Sequence, residues 1–138
     1  MNILVGTIAS IETDGTLSLV DICIFEDQLM TALVVETPAR CPYLRAGHQV
    51  TVLFKETEVS IAKNLGGQLS MRNMMASVIT AVRTSGLLAE ISLSFAGQTV
   101  LSLITARSAH QLDLQVGDHV TWLVKANEIS LRGERHDP

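Results

Sequence analysis

The chain has 138 residues, of which 47% are hydrophobic and 17% are charged. This composition excludes the collagen-like, low-complexity and disordered classes, and the length predicts one ordinary globular domain or two small ones. The formal net charge of -4 and the aromatic content of 4% argue against a nucleic-acid-binding surface, because phosphate binding needs clustered cations and single-strand binding needs stacking platforms.

No segment has the pattern of a signal peptide or a spanning helix. Residues 1–5 are apolar but follow no cationic segment, and polar residues interrupt every later apolar stretch. Cys23 and Cys41 form no Cys-x-x-Cys motif, so both are expected to be reduced structural thiols. The sequence therefore predicts a soluble cytoplasmic protein with neither membrane nor nucleic-acid partners.

The first half of the chain is predicted to form short β-strands rich in Val, Ile and Thr. These strands cover 4–11, 17–25, 29–35, 49–55 and 58–62. Turns are predicted at Thr13-Asp14-Gly15 and at Glu26-Asp27, and a proline-bounded segment covers 38–44. Residues 17–25 alternate with a period of two but are apolar on both faces, as in the wall of a closed barrel or an interface.

The second half of the chain repeats this order. Strands are predicted at 76–82, 87–95, 100–104, 119–125 and 128–132, with a short helix over 106–112. Residues 44–61 align with 114–131 at a constant offset of 70, and identical residues include Gly47 with Gly117 and Lys55 with Lys125. Upstream the offset changes, since Asn2 aligns best with Asn73 and Asp21 with Glu90.

The repeat predicts two domains, 1–66 and 67–138, joined where Asn64 and paired glycines break the strand pattern. Five short strands with a helical turn between the third and the fourth are typical of a small OB-like barrel. The predicted fold class is all-β, with two tandem five-stranded barrels that each carry a short helical turn. Trp122 stands where the first repeat has Val52 and is expected in the core or at an interface.

Several short motifs of the second repeat follow one another in a recognisable order. They are Ser70-Met71-Arg72-Asn73, Thr105-Ala106-Arg107-Ser108 before Leu112-Asp113-Leu114, Val116-Gly117-Asp118, and Lys125-Ala126. This order resembles the Mop or TOBE domain, with its Ser-Ala-Arg-Asn start, Thr-x-x-Ser before Leu-x-Leu, Val-Gly-Asp turn and late Lys-Ala. The tandem arrangement resembles the molbindins, which are small cytoplasmic molybdate-binding proteins.

The resemblance implies binding of molybdate, with tungstate as the alternative of nearly the same size and charge. A tetrahedral dianion needs hydrogen-bond donors from several directions, and none of the donors has to bond to the metal directly. The candidate oxyanion-binding residues carry hydroxyl, amide, cationic or backbone donors and are Ser70, Arg72, Asn73, Thr105, Ser108, Lys125 and Ala126. The start of the helix at Thr105 would add free N–H groups.

The resemblance also implies that the first segment and the Thr-x-x-Ser segment meet across a subunit boundary. The expected assembly is a homo-oligomer, a trimer by likeness to two-repeat molbindins, with a dimer as the alternative. Each candidate taken alone also fits a structural role. Ser70 fits a turn, Thr105 a β-branched strand residue, Ser108 a helix surface and Lys125 the edge of a barrel. Arg107 is expected to be exposed rather than functional.

The first repeat departs from the motif. Val35 and Pro38 replace Thr105 and Ser108, which removes two hydroxyls and one backbone donor, and Glu56 follows Lys55 where the second repeat has an alanine. Residues 1–66 carry 4 basic and 8 acidic side chains, against 6 and 6 in 67–138. The first repeat is therefore expected to serve packing. Leu88 replaces the asparagine of a second kind of anion site known in relatives, so no second site class is expected.

No catalytic motif competes with this reading. The four histidines have no metal-ligand spacing, and no GxSxG, HExxH or phosphate-binding loop is present. The chain is therefore predicted not to be an enzyme. Two functions remain, a molybdate storage or homeostasis protein, and a regulatory or assembly module of a molybdate transporter or a molybdate-responsive regulator.

Overall fold

A computed structural model describes residues 1–26 and 28–133, and within them the chain forms ten strands and one α-helix. The strands of the first repeat are β1 (Asn2–Asp14), β2 (Leu17–Phe25), β3 (Gln28–Val34), β4 (Gln49–Phe54) and β5 (Ser60–Ala62). Those of the second are β6 (Asn73–Ser85), β7 (Leu88–Phe95), β8 (Gln98–Thr105), β9 (His119–Val124) and β10 (Ser130–Gly133). Helix α1 (Ala106–Gln111) lies between β8 and β9.

The predicted five strands in each repeat are confirmed, with two local differences. Strands β1 and β6 each run for 13 residues, longer than the alternating pattern indicated. Strands β5 and β10 begin two residues later than predicted, because the 3-10 turns at Glu56–Glu58 and Ala126–Glu128 include Glu58 and Glu128. The predicted turn at Glu26-Asp27 is described only at Glu26, which has a φ of 48°, because Asp27 lies outside the described residues.

The helical turn predicted for the first repeat is wrong. Residues 38–44 form consecutive hydrogen-bonded turns, in which the N–H groups of Arg40 and Cys41 both donate to the Thr37 carbonyl at 3.0 and 2.8 Å. Pro38 and Pro42 lack N–H groups, and Val35 supplies no capping oxygen where the second repeat has Thr105. Helix α1 has a cap at this position, so only the second repeat forms a helix.

The predicted alignment of Asp21 with Glu90 is also wrong. In the β1–β2 hairpin Asp21 lies opposite Ser10, whereas in the β6–β7 hairpin Glu90 lies opposite Arg83. Both hairpins have an irregularity after an isoleucine, Ile8 and Ile79, so the register of the two is the same. Asp21 therefore corresponds to Ser92, which lies opposite Ala81.

The chain divides into two compact units. The repeat-two unit consists of Met1–Asn2 and Lys55–Val124, and the repeat-one unit consists of Ile3–Phe54 and the segment that begins at Lys125. The predicted domains, 1–66 and 67–138, describe the sequence repeats, whereas each compact unit contains the last strand of the other repeat. The strand orders are β5-β9-β6-β7-β8 and β10-β4-β1-β2-β3.

This strand exchange is set by backbone pairing. In the repeat-two unit Ile61 of β5 lies opposite Trp122 of β9, and in the repeat-one unit Leu131 of β10 lies opposite Val52 of β4. A 3-10 turn precedes each exchanged strand, and its first N–H group, from Lys55 or Lys125, donates to a glutamate carboxylate three residues later at 3.0 or 3.2 Å. The exchanged strands therefore leave their own repeat through two equivalent turns.

Each sheet curls until its two edge strands come into contact, β5 with β8 and β10 with β3. In the repeat-two unit the Ser102 hydroxyl donates to the Val59 carbonyl at 2.7 Å across this seam. The inward residues alternate along the strands and are fully or almost fully buried. In the repeat-two unit they include Met75, Ile79, Ile91, Leu93, Val100 and Trp122, and in the repeat-one unit Leu4, Ile8, Val20, Ile22, Met30 and Phe54.

Lys63 fastens the end of β5 to the loop that follows α1. Its Nζ donates to the carbonyls of Leu112 and Asp113 at 3.1 and 2.9 Å and to the Asp118 carboxylate at 3.1 Å. The Gln115 N–H donates to the same carboxylate at 2.9 Å, and this bond together with Lys63 lowers the pKa of Asp118 below its ordinary value. The exchanged strand in this unit is therefore held partly by charge.

We expect the Lys63–Asp118 contact to stabilise the folded protein at neutral pH and to lose this effect in acid. The folded pKa of Asp118 is depressed, so its contribution is present above the unfolded pKa of about 3.9 and is lost as the pH falls through the lower folded pKa. Lys63→Met should lower the urea midpoint at pH 6, and the gap to the parent protein should narrow at pH 3. Asp118→Asn should behave in the same way. An equal gap at both pH values would show that the carboxylate contributes nothing.

Candidate oxyanion site

Thr105 and Ser108 form the centre of the candidate site in the repeat-two unit. Thr105 ends β8 in an extended conformation and caps α1, because its Oγ1 accepts the Ser108 N–H at 3.0 Å. The same hydroxyl donates to the Ser108 Oγ at 2.8 Å. Ser108 Oγ accepts this bond and keeps its own proton to donate. The sequence therefore places two neighbouring hydroxyls at an exposed strand-to-helix junction.

The backbone donors at the start of α1 are largely used within the protein. The Ala106 N–H donates to the Leu87 carbonyl at 2.8 Å, and the Ser108 N–H is taken by Thr105. The expectation of several free N–H groups at this helix start is therefore wrong for these two residues. A ligand here would rely on the hydroxyls and on nearby cations.

An open pocket of about 340 Å³ lies beside these residues. It is lined by Gly86, Leu87, Thr105, Ala106 and Arg107. The Leu87 side chain is 86% exposed, and Arg107 is exposed as predicted. Arg107 nevertheless lines the pocket, although the sequence analysis did not count it among the candidate oxyanion-binding residues. The signal that could have found it is a cation inside Thr-x-x-Ser.

The first segment of the second repeat places its residues differently. Ser70 and Arg72 are exposed, whereas Asn73 is fully buried at the start of β6. The Asn73 side chain donates to the Val124 carbonyl at 3.1 Å, at the end of β9. Asn2 makes similar bonds in the same unit, since its amide accepts from and donates to the Leu101 backbone at 2.8 Å each. These amides bind the protein's own backbone.

Lys125 and Ala126 lie in the repeat-one unit, at the start of the 3-10 turn before β10. The structure therefore places Ser70, Arg72, Asn73, Thr105 and Ser108 together in one unit and the lysine of the motif in the other. The exchange puts Lys55, the equivalent lysine of the first repeat, into the unit that holds Thr105. Both lysine side chains are exposed.

The corresponding segment of the repeat-one unit has no hydroxyl pair. Val35 is 75% exposed, and the Glu36 carboxylate accepts hydrogen bonds from the Tyr43 hydroxyl at 2.6 Å and the Cys41 thiol at 3.0 Å. Burial, followed by the bond to Glu36, raises the pKa of Tyr43, and the bond to Glu36 is the main cause that raises the pKa of Cys41. Both donors therefore stay protonated at neutral pH.

A second pocket, of about 350 Å³, lies on the outer face of β6, β7 and β8. It is lined by Arg83, Ser85, Leu88, Glu90 and Leu103. Arg83 stands directly opposite Glu90, so the pocket carries both signs of charge. The expectation that no second class of anion site forms around Leu88 stays a prediction.

Among residues 1–26 and 28–133, no group of three His, Cys, Asp or Glu side chains could hold a metal ion, and both cysteines are free thiols. No helix among these residues is long and apolar enough to span a bilayer.

Comparison with known proteins gives consistent matches. Residues 69–131 match the TOBE domain model. The molybdenum import ATP-binding protein ModC of Brucella abortus is 34% identical over 87 residues, 62% of this chain and 24% of that protein. The molybdenum-pterin-binding protein MopB of Rhodobacter capsulatus is 29% identical over 124 residues, 88% of this chain and 46% of that protein. The chain thus spans about a quarter to a half of these relatives.

A solved structure matches almost the whole chain. The cytoplasmic molybdate-binding protein ModG, in a form with molybdate bound, has a TM-score of 0.90 and 25% identity over 96% of both chains. Together the fold and the matches define a protein with two tandem OB-like domains, of which the second matches the TOBE domain. The chain resembles the tandem TOBE proteins of the Mop type, because residues 69–131 match the TOBE model and the whole chain is similar to ModG and MopB. The predicted fold class is confirmed, and these matches support the predicted resemblance to the Mop-type proteins.

Proposed function

We propose that this chain binds molybdate in the cytoplasm and serves its storage or homeostasis. The observation that carries the proposal is the match to ModG, a protein solved with molybdate bound, along 96% of both chains. The exposed Ser108 hydroxyl, which accepts from Thr105 and keeps its own proton, is a donor of the kind that a tetrahedral dianion needs. Tungstate has nearly the same size and charge and is proposed to bind the same site.

The proposed site combines hydroxyl and cationic donors from different parts of the assembly. Four of the proposed donors face solvent in the repeat-two unit, namely Ser70, Arg72, Thr105 and Ser108. We also include Lys125 and Ala126, which lie at the start of the 3-10 turn before β10. We assign to Asn73 the role of holding the end of β9 next to Lys125, since its amide bonds the Val124 carbonyl. No donor bonds to the metal, because the four oxygens of the anion accept every hydrogen bond.

We further propose a homo-oligomer, a trimer first and a dimer second, with sites completed by neighbouring subunits. The outer face of the repeat-one sheet supports association, because it exposes Leu17, Leu19 and Phe25 of β2 together with Leu29 and Leu33 of β3. Leu19 lies directly opposite Leu33, so these two side chains form an exposed apolar pair on this face. Sedimentation at several protein concentrations tests the assembly.

Equilibrium dialysis of the intact oligomer against molybdate, tungstate and sulfate tests the function. We expect saturable uptake of molybdate and tungstate, counted as ions per chain by metal analysis. The alternative function is a regulatory or assembly module of a molybdate transporter or regulator, which the match to part of ModC favours. An oligomer that takes up no molybdate would refute storage and leave this alternative.

The double variant Thr105→Ala, Lys125→Ala should abolish molybdate uptake, a loss of at least about 100-fold in affinity, while the oligomer keeps its mass. One hydroxyl and one cation are lost, and each hydrogen bond that involves an ion contributes about 1.5–3 kcal/mol. The matched control, Thr99→Ala with Arg132→Ala, removes another exposed hydroxyl and cation, from β8 and β10, and should bind normally. Affinity that persists in the first variant would show that the site is misplaced.

A further inference from the structure

The register of the two hairpins shows which residue of the repeat-one unit corresponds to each residue of the proposed site. Thr105 lies opposite Leu88 at the end of β8, and Ser18 lies opposite Val34 at the end of β3. The β1–β2 and β6–β7 hairpins share the irregularity after Ile8 and Ile79, so Leu17 corresponds to Leu88. Continuing the β2–β3 register by one residue beyond Ser18 and Val34 brings Val35 to the position of Thr105. Glu36 therefore stands where the repeat-two unit has Ala106.

Glu36 is held at this position from three sides. Its Oε2 accepts the Tyr43 hydroxyl at 2.6 Å and the Cys41 thiol at 3.0 Å, and its carbonyl accepts the buried Ser18 hydroxyl at 2.5 Å. The Tyr43 ring is itself fixed by close packing on Gly133 of β10, where an added Cβ would lie 2.5 Å from ring Cγ. The carboxylate cannot turn away without breaking these bonds.

The two positions that align with the hydroxyls of the repeat-two motif have lost them. Val35 and Pro38 carry no hydroxyl, Pro38 has no N–H, and the Arg40 and Cys41 N–H groups both donate to the Thr37 carbonyl. An oxyanion that approached this segment would meet a fixed negative charge. In the repeat-two unit an oxyanion at the equivalent position would meet the neutral Ala106. The residues on either side are Thr105, which carries a hydroxyl, and Arg107, which carries a positive charge.

We propose that Glu36 is a built-in anion that closes the repeat-one motif to oxyanions, so that each chain contributes a single Thr-x-x-Ser motif to bound molybdate. This inference rests on the proposed function and adds the residue that determines the number of ions per chain. The charge, rather than the missing hydroxyls alone, excludes the ligand, because two like-charged groups a few ångströms apart repel even in water.

Moving the charge into the repeat-two motif tests this proposal. Ala106→Glu should weaken molybdate binding at least about ten-fold, whereas the matched variant Ala106→Gln, with nearly the same shape, should stay within about three-fold of the parent. A glutamate in the first turn of α1 suits the helix, so lost binding would not reflect unfolding. Circular dichroism and oligomer mass check this. Equal affinities of the two variants would overturn the proposal.

Removing the repeat-two hydroxyls tests the number of sites. Thr105→Val with Ser108→Ala should leave no saturable molybdate uptake, because the repeat-one motif is closed. Saturable uptake that remains in this variant would overturn the inference, since it would have to come from the first repeat. Failure of the proposed function is distinguishable, because in that case the parent protein itself would take up no molybdate in the same dialysis.

Discussion

Replacing Trp122 by alanine is expected to lower the free energy of unfolding by about 3–5 kcal/mol. Trp122 is fully buried in the repeat-two unit, where its ring meets Phe95 edge to face with centroids 5.2 Å apart. It also lies opposite Ile61, so its removal leaves a cavity next to the exchanged strand. Urea unfolding followed by far-UV circular dichroism, at one fixed concentration of the oligomer, measures the change.

Val52→Ala is the matched control for this variant. Val52 occupies the same position in the repeat-one unit and is also fully buried, but its side chain is far smaller than an indole. It should cost clearly less, about 1–2 kcal/mol, because the destabilisation grows with the cavity that remains. Equal losses in the two variants would show that Trp122 is not a central packing residue.

Replacing Gly6 by alanine is expected to destabilise the protein by about 1–3 kcal/mol, although only one methyl group is added. A Cβ at Gly6 would lie 2.5 Å from Cγ2 of Ile22, 2.8 Å from the Cys23 carbonyl and 2.9 Å from Cδ1 of Ile24. A backbone oxygen cannot move aside as a flexible side chain does, so β1 and β2 would have to separate. Urea midpoints of the parent and the variant measure the cost.

The control for Gly6→Ala is a substitution by alanine at the equivalent position of the second repeat, Ser77. Ser77 is 7% exposed, and within the described part of the chain its Oγ has no hydrogen-bond partner. Ser77→Ala should be neutral or stabilising by up to about 1 kcal/mol, because it removes a buried unsatisfied hydroxyl. Two variants that change stability in the same direction would contradict this account of the two positions.

Local patterns in the sequence predicted most of the strands correctly. Residues 17–25 have a strict period of two and form β2 over Leu17–Phe25 as expected. The predicted helix over 106–112 matches α1 closely, and the structure shows that Thr105 caps it. The equivalent segment 38–44 was harder to predict. It contains two prolines and lacks a capping residue, and the local preferences that decide whether such a segment forms a helical turn are weak.

The site was predicted less completely than the fold. Thr105 and Ser108 lie side by side, as the spacing Thr-x-x-Ser indicated. The burial of Asn73 could not be read from its type, because a buried amide is stable only where a backbone carbonyl such as that of Val124 is available. The clamp on Glu36 likewise depends on Tyr43 and Cys41, whose contacts with it follow from the turns at 37–44.

The sequence by itself determined the repeat, the alternating strands, the motif order and therefore the resemblance to the TOBE domain. Only the tertiary structure decided which repeat each last strand completes and which lysine shares a unit with Thr105. The physical reason is that β4 and β9 are near copies, as are β5 and β10, so local patterning favours neither pairing. The choice between them comes from long-range backbone pairing, which no window of the sequence contains.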